Sequence, residues 1–249
     1  MILAKTIAAF AFTLFFLVCL FPLGVLAFLL GFLGLRKPMS VIDYKIAQYW
    51  SKGIIKMTGC TLTVEGLENI PSSGSVCFVS NHVGIFDIIL ALAFIGRPFG
   101  FIAKKELSMA PFFNLWILML GGLFIDRKSI REALKTINQG IEKIRKGGSM
   151  LVFPEGTRSK GRGLLPFRSG AIRLATHSLA TVVPIAIEGS YDVFERHYRV
   201  HAVPVRLVFC PPINPNDMSP EDRRHKLADE VYSIIKNTLE NTKAPDPSQ

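Results

Sequence analysis

The chain has 249 residues, 49% of them hydrophobic, and carries 29 Lys and Arg residues against 19 Asp and Glu residues. A mean hydropathy of +0.35 and a formal net charge of +10 exclude an acidic, disordered protein, because such chains contain few apolar residues. The length predicts one domain of catalytic size with an additional segment, and a domain of that size folds without a metal or disulfide framework.

An uncharged apolar run lies between Lys5 and Arg36. A helix of that length, at ~1.5 Å per residue, exceeds the ~30 Å hydrocarbon core of a bilayer. The run is also too long for the apolar region of a signal peptide. Pro22 and Gly24 interrupt it, so it forms either one tilted or kinked span or two shorter helices that enter one leaflet. Both arrangements predict a membrane-associated protein.

A second helical pattern follows the apolar run. Residues 38–58 place four large apolar side chains at four-residue spacing, with lysines between them: Ile42, Ile46, Trp50 and Ile54. This pattern predicts an amphipathic helix that lies at the membrane interface.

Positive charge is concentrated at the N-terminus. The first 59 residues have a net charge of +5, because six basic side chains stand against one acidic side chain: Lys5, Arg36, Lys37, Lys45, Lys52 and Lys56 against Asp43. Each basic side chain near an anionic leaflet contributes about 1 kcal/mol, so we expect membrane lipids as partners and no nucleic acid. The excess on the Arg36 side predicts that the following domain lies on the cytoplasmic face.

From residue 60 onward, short apolar runs alternate with helix-length segments. The predicted strands are 61–64, 76–80, 100–103, 123–125, 150–153, 182–187 and 205–209, and the predicted helices are 85–95, 110–120, 129–146, 170–177 and 220–241. Strands that are apolar on both faces and alternate with helices predict an α/β fold with a largely parallel sheet flanked by helices. We therefore expect membrane-docking helices over residues 1–59 and an α/β domain over residues 60–249, with sites at the carboxyl ends of strands.

The strand at 76–80 runs into the segment NHVGIFD, residues 81–87. Positions five apart on one helix are rotated by roughly 140° from a common face, so His82 and Asp87 cannot meet within a continuous helix. They can meet if His82 lies in the turn and Asp87 in the first helical turn, with Gly84 allowing the bend. An aspartate placed there fixes one ring nitrogen as a donor and leaves the other free to accept a proton, as a general base does.

Taken alone, this motif has a structural alternative, namely a capping aspartate beside a hydrogen-bonded turn histidine. A zinc site is disfavoured because no third ligand is suitably spaced and HExxH does not occur. A serine hydrolase is disfavoured because GxSxG is absent. We therefore expect no metal.

A second polar loop, FPEGTRS at residues 153–159, follows the strand at 150–153. Gly156 lets backbone amides approach an anion, Thr157 adds a hydroxyl donor, and Arg158 offers a fork that fits a phosphate. Glu155 cannot bind phosphate and is expected to orient an arginine or to accept a hydrogen bond from a polyol hydroxyl.

Cations follow two further strands. Lys105 and Arg127 are predicted to contact substrate at the edge of the sheet where the carboxyl ends of the parallel strands lie, hereafter the rim. Lys104 is predicted to lie at the surface. For Lys160 and Arg162 a solvated, membrane-facing loop is the alternative to substrate contact.

The set of motifs resembles the glycerolipid acyltransferases. Four ordered motifs carry the resemblance: NHxxxxD at 81–87, FIDR at 124–127, FPEGTRS at 153–159 and VPIAI at 183–187. The short chain and the EGTR form are most similar to the 1-acylglycerol-3-phosphate (lysophosphatidate) acyltransferases. Val83 and Gly84 stand where the family often has Gln-Ser, and Asn114 stands where a glycine is common.

This resemblance implies acyl transfer from acyl-CoA or acyl-ACP to the sn-2 hydroxyl of 1-acyl-sn-glycerol 3-phosphate, giving phosphatidate, with no cofactor beyond the thioester co-substrate. In that reaction His82 is the general base, Asp87 stabilises the imidazolium, and Arg158 with Gly156 and Thr157 holds the phosphate. Two alternatives stay open: an acyltransferase acting on glycerol 3-phosphate or another lysophospholipid, and a noncatalytic membrane lipid-binding protein.

Overall fold

Seven strands form one mixed sheet in a computed structural model that describes residues 2–241. The strands are β1 (Thr61–Glu65), β2 (Val76–Ser80), β3 (Gly100–Lys104), β4 (Leu123–Ile125), β5 (Met150–Val152), β6 (Thr181–Glu188) and β7 (Pro204–Phe209), in the order β1-β7-β6-β2-β5-β3-β4. The five strands from β6 to β4 are parallel, while β7 pairs antiparallel with β6 and parallel with β1. The predicted α/β fold with a largely parallel sheet is confirmed.

Helices cover both faces of this sheet. The described part of the chain contains α1 (Ile2–Cys19), α2 (Phe21–Leu30), α3 (Arg36–Thr58), α4 (Phe86–Phe94), α5 (Phe113–Met119), α6 (Ile130–Arg145), α7 (Ser169–Ser178), α8 (Ser190–Val193), α9 (Pro220–His225) and α10 (Leu227–Glu240). The helix predicted at 220–241 is two helices, because Lys226 interrupts the pattern between α9 and α10. The helix predicted at 110–120 is shorter, and a 3-10 turn at Lys105–Met109 precedes it.

The pleat of the strands divides the core into two layers. Val76 and Phe78 of β2 face a layer shared with α3 and α4, whereas Cys77 and Val79 face a layer shared with α6, α7 and α10. All four side chains are fully buried. A strand that is apolar on both faces is therefore explained by helices on both sides.

The N-terminal apolar run folds as two helices. The break lies at Leu20 rather than at the predicted Pro22 to Gly24, because Pro22 occupies the first turn of α2, where its missing N–H needs no partner. A turn at Gly31–Leu35, in which Gly34 has φ +88°, leads into α3. Among residues 2–241 only α1 is both long enough and apolar enough to cross a membrane, and this helix indicates membrane association.

The helix predicted at 38–58 forms as α3, and it is attached to the α/β domain. The Tyr44 hydroxyl donates to the carbonyl of Leu92 (3.2 Å), and Gln48 Nε2 donates to the carbonyl of Ala93 (3.1 Å). Both carbonyls belong to the last turn of α4, where no further helical N–H reaches them. Of the four residues in the predicted apolar stripe, Ile54 is buried and Ile42 is exposed.

Candidate active site

His82 and Asp87 are in contact at the carboxyl end of β2. Nδ1 of His82 lies 2.7 Å from Oδ2 of Asp87. Asp87 is completely buried in the first turn of α4, where the helix dipole favours a negative charge. The chain turns between the two residues, which is the arrangement that the spacing predicts.

Both oxygens of the Asp87 carboxylate accept hydrogen bonds. Oδ2 also accepts from the backbone N–H groups of Val83 (2.7 Å) and Gly84 (3.0 Å), and Oδ1 accepts from the hydroxyl of Ser190 (2.5 Å). These donors satisfy the hydrogen-bonding capacity of the buried carboxyl group. With Asp87 accepting from Nδ1–H, Nε2 of His82 is the nitrogen free to accept a proton.

The imidazole is held by its surroundings as well. Its ring stacks on Phe153 at a centroid distance of 4.1 Å and an interplanar angle of 20°. Asn81 fastens the preceding residue to β6, because its side chain donates to the carbonyl of Ile187 and accepts from the N–H of Ile187, both at 2.8 Å. The side chain of His82 retains 15% exposure, so the ring is accessible from the rim.

Glu155 is part of the same loop cluster, but its partners differ from those predicted. Oε1 accepts from the backbone N–H of His82 (2.7 Å), and Oε2 accepts from that of Leu165 (3.2 Å). The predicted partners were an arginine or a polyol hydroxyl. Burial raises the pKa of Glu155 to about 7, although the two N–H donors oppose this shift and the charge of Asp87 adds to it. The side chain therefore holds the histidine loop against β5.

Arg158 lies in the loop after β5, close to the histidine loop. The N–H of Ser159 donates to the carbonyl of His82 (2.7 Å), and the N–H of Lys160 donates to the carbonyl of Val83 (3.1 Å). A third link runs through Glu195, whose carboxylate accepts from Nη1 of Arg158 (2.5 Å) and from the N–H of Ile85. His82 and the FPEGTRS loop at residues 153–159, far apart in sequence, thus lie at one rim.

The other residues of the FPEGTRS segment lie in the same loop. Gly156 has φ +69°, and a Cβ atom there would lie 2.8 Å from Cδ of Arg168, so only glycine fits beside that arginine. Nε of Arg168 donates to the backbone carbonyl of Glu155 (3.2 Å). Thr157 is exposed.

Arg127 and Lys105 follow β4 and β3 on this edge of the sheet. Burial is the main cause that lowers the pKa of Arg127, and the positive charges of Arg168 and Arg158 lower it further, against an opposing contribution from Glu106. Lys105 is paired with Asp126 at 2.9 Å, and Lys104 is paired with Glu106 at 3.0 Å, both on the surface.

Comparisons with known proteins identify the family of this chain. A sequence model of the family described as Acyltransferase matches residues 61–188. The chain belongs to the acyltransferase family. Its sequence is 28% identical to that of the 1-acyl-sn-glycerophosphate (LPA) acyltransferase PlsC from Thermotoga maritima. The crystal structure of that protein matches this structure with a TM-score of 0.82, and the match covers 98% of this chain and 96% of that one.

Curated relatives carry related names. The chain is 31% identical to the 1-acyl-sn-glycerol-3-phosphate acyltransferase of Escherichia coli K12 over 68% of each chain. It is also 31% identical to the protein of that name from Borreliella burgdorferi, over 55% of each chain. The probable 1-acyl-sn-glycerol-3-phosphate acyltransferase of Mycoplasma pneumoniae is 28% identical over 89% of this chain and 90% of that one. The chain thus spans about half the length of the Borreliella relative and nearly all of the Mycoplasma relative.

In this acyltransferase the sequence prediction missed two polar groups of the rim. Ser190 stands three residues after the VPIAI motif, and its position at the end of β6 is the signal that was available. Glu195 follows a short helix, α8, which the sequence pattern does not reveal. Both side chains reach the histidine loop.

Proposed function

We propose that this acyltransferase transfers an acyl group from an acyl thioester, on coenzyme A or acyl carrier protein, to the sn-2 hydroxyl of 1-acyl-sn-glycerol 3-phosphate. The product is phosphatidate. The relatives named as 1-acyl-sn-glycerol-3-phosphate acyltransferases support this acceptor.

One observation carries the proposal, namely the joining of the histidine loop to the arginine loop. Ser159 donates to the carbonyl of His82, and Glu195 bridges Arg158 to Ile85. A phosphate bound at Arg158 therefore has a fixed relation to the imidazole. Such placement of an acceptor hydroxyl supplies several kcal/mol of the barrier reduction.

The proposed chemistry uses His82 as general base. Nε2 removes the proton of the acceptor hydroxyl as its oxygen attacks the thioester carbonyl, and Asp87 stabilises the imidazolium that forms. The tetrahedral intermediate then collapses as its C–S bond breaks, and the imidazolium returns the proton to the departing thiolate. Stacking on Phe153 keeps the ring in place during both transfers. The reaction as written needs no cofactor besides the thioester.

Arg158 has a free edge for the phosphate in this scheme. Glu195 engages Nη1, and the side chain of Arg158 is 42% exposed, which leaves it accessible to a ligand. Arg127 and Arg168 add positive charge close by, and Gly156, Thr157 and Lys105 extend the same surface. We place the domain on the cytoplasmic face of the membrane, because the N-terminal segment is basic.

The test is an acyltransfer assay with the purified protein, labelled acyl thioesters and several acceptors. We expect phosphatidate from 1-acyl-sn-glycerol 3-phosphate and little product from glycerol 3-phosphate or from a lysophospholipid with a substituted phosphate. Arg158→Ala should raise the KM for the acceptor by roughly 10- to 100-fold, because a charge-assisted pair is lost. Arg158→Lys should restore only part of the affinity. An unchanged acceptor KM in Arg158→Ala would contradict the phosphate assignment.

A further inference from the structure

A groove of about 830 Å³ lies on the sheet face opposite α1 to α4. The walls of this groove, hereafter the α6–α7 groove, are formed by α6, α7, α9 and α10 and by the loop before α7. Its volume is in the range of small-molecule sites. The catalytic rim described above does not include it.

The α6–α7 groove changes character along its length. Near the rim it is apolar, with Ile130 and Leu134 of α6 on one side and Phe167 packed edge-on against Tyr232 on the other. Ile130 is 82% exposed, so an apolar part of a ligand in the groove can contact it. At the far end the lining is basic, with Arg173, His177 and Arg224.

Positive charge accumulates at that far end. Burial, and then the charges of Arg173, Arg224, Arg145 and Arg223 in that order, lower the pKa of His177. Nε of Arg173 is buried and has no hydrogen-bond partner among residues 2–241. A buried, unpaired guanidinium nitrogen is costly, and an anion bound beside the guanidinium of Arg173 would lower that cost by offsetting its charge. Asp229 is the acidic residue among those lining the groove.

The groove connects this basic end to the catalytic edge. Helix α7 begins at Ser169, next to the Arg168 that bonds to the carbonyl of Glu155, and His177 lies eight residues further along. Eight residues of helix span about 12 Å. Helix α6 likewise begins shortly after Arg127. The apolar end therefore opens beside the arginines of the rim, and the basic end lies toward the opposite edge of the sheet.

We propose that the α6–α7 groove binds the phosphopantetheine arm of the acyl donor, with the phosphate at Arg173 and Arg224 and the arm running past Phe167 toward the rim. This inference rests on the proposed function. Phosphopantetheine is common to coenzyme A and acyl carrier protein, and it joins an anionic end to a long flexible arm that ends in the thioester sulfur. A groove that is basic at one end and apolar at the other matches this polarity.

The position of the groove favours a donor that arrives from water over a lipid of the bilayer. The apolar helices α1 and α2 pack on α3 and α5, on the side of the sheet that carries α4. The groove lies between α6, α7, α9 and α10 on the other side. The lipid acceptor and the thioester donor would then reach the rim from different faces of the molecule.

The test compares donors with and without the phosphate. Steady-state kinetics of the full-length protein would be measured with acyl-CoA, acyl carrier protein thioester and acyl-pantetheine, which lacks the phosphate. For Arg173→Met/Arg224→Ala we expect the KM for acyl-CoA or for the carrier thioester to rise about 10-fold or more. The value of kcat/KM for acyl-pantetheine and the KM for the acceptor should stay within about twofold.

Methionine at position 173 keeps the apolar stem of the side chain, and Arg224 is exposed, so the double variant is designed to fold. The single variant Arg224→Ala provides a second measurement if it does not. Lys236→Ala, an exposed change elsewhere on α10, is the matched control and should leave every constant unchanged. Equal losses with phosphorylated and unphosphorylated donors, or no loss with any donor, would overturn the groove assignment. Absence of acyl transfer by the unmodified protein would overturn the proposed function instead.

Discussion

His82 and Asp87 form the contact on which the proposed chemistry depends. His82→Ala removes the general base of the proposed mechanism, so we expect kcat to fall by about 10² to 10⁴. Asp87→Asn should also lower kcat, because an amide no longer fixes the Nδ1–H tautomer. The measurement is turnover at saturating substrates, with lipid binding by the same variants as the control. Unchanged turnover in His82→Ala would remove the histidine from the mechanism.

The role of Glu195 cannot be predicted from the sequence motifs. Its carboxylate holds Arg158 and the N–H of Ile85 together, and its approach depends on Gly84. A Cβ atom at position 84 would lie 2.7 Å from Oε2 of Glu195 and 3.1 Å from Cα of Tyr191. The serine that the family often has there would therefore require this contact to shift.

We predict that Glu195 is a positioning residue for Arg158. Glu195→Gln should raise the KM for the acceptor roughly fivefold, because the amide nitrogen that replaces one carboxylate oxygen cannot accept from Arg158 or from Ile85, while the KM for the thioester stays constant. Gly84→Ser should act in the same direction. Glu65→Gln, which weakens the exposed pair with Arg206, is the matched control. An acceptor KM in Glu195→Gln equal to that of the unmodified protein would show that Arg158 needs no such support.

The motif residues could be predicted because their information is local. The five-residue spacing of His82 and Asp87, read with a strand before it, is enough to place one residue in a turn and the other in a helix. The contact of Glu195 with Ile85 joins positions 110 apart in the sequence. It depends on the path of α8, and no short pattern in the chain encodes that path. The contact of Glu155 with His82 joins positions 73 apart in the sequence, and no short pattern predicts it either.

Helices and strands were predicted best where burial on two sides leaves a clear signal. Residues 76–80 were placed correctly because all of them except Ser80 are apolar, and residues 123–125 were placed correctly because that run is uniformly apolar. The reversed direction of β1 and β7 was not predicted, since strand direction depends on connections rather than on composition. The division of residues 220–241 into α9 and α10 was also missed, because Lys226 is compatible with a continuous helix.

Helix α3 contains a buried carboxyl group with an unusual environment. Asp43 is 2% exposed, and its Oδ1 has no hydrogen-bond partner among residues 2–241. Burial raises its pKa from 3.8 to about 7. Because the pKa is higher in the folded state, the folded protein binds more protons between about pH 4 and pH 7. The contribution of Asp43 to stability therefore falls as the pH rises through that window.

We predict that Asp43→Asn removes this pH dependence. Relative to the unmodified protein, the variant should gain on the order of 2 to 4 kcal/mol in unfolding free energy between pH 5 and pH 8, which is several degrees in midpoint temperature. Thermal unfolding at both pH values measures it. Glu155 titrates in both proteins, so the difference isolates Asp43, and Glu221→Gln, an exposed change, serves as control. Parallel pH profiles would contradict the assignment.

The assembly of the rim follows from the parallel strands. Because β6, β2, β5, β3 and β4 run in one direction, the loops after them meet at one edge, and this rule allowed the site to be expected from sequence. The two faces of the sheet could not be assigned in that way. Which helices cover which face depends on crossover connections, and the separation of the apolar N-terminal helices from the α6–α7 groove emerges only from the folded chain.

The apolar surface of α1 and α2 predicts how the whole molecule meets the bilayer. Helix α1 buries Ala9, Phe16 and Leu17 against the protein, while its other face and α2 leave large side chains more than 45% exposed: Leu3, Ile7, Phe10, Leu14, Phe15, Val18, Leu23, Leu26 and Leu29. A soluble surface rarely presents so many contiguous apolar groups. We therefore expect this surface to contact lipid.

The double variant Ile7→Asp/Leu14→Asp places two negative charges on that exposed face, about two helical turns apart. A carboxylate at the centre of a membrane helix costs about 2.5 to 3.5 kcal/mol, so the variant should bind vesicles at least 10-fold more weakly in a flotation assay. Because both positions point away from the core, folding and turnover of a detergent-dispersed acceptor should be retained. Leu179→Asp, an equally polar change at an exposed leucine remote from α1, should float normally. Undiminished flotation of the double variant would mean that the bilayer meets another surface of the protein.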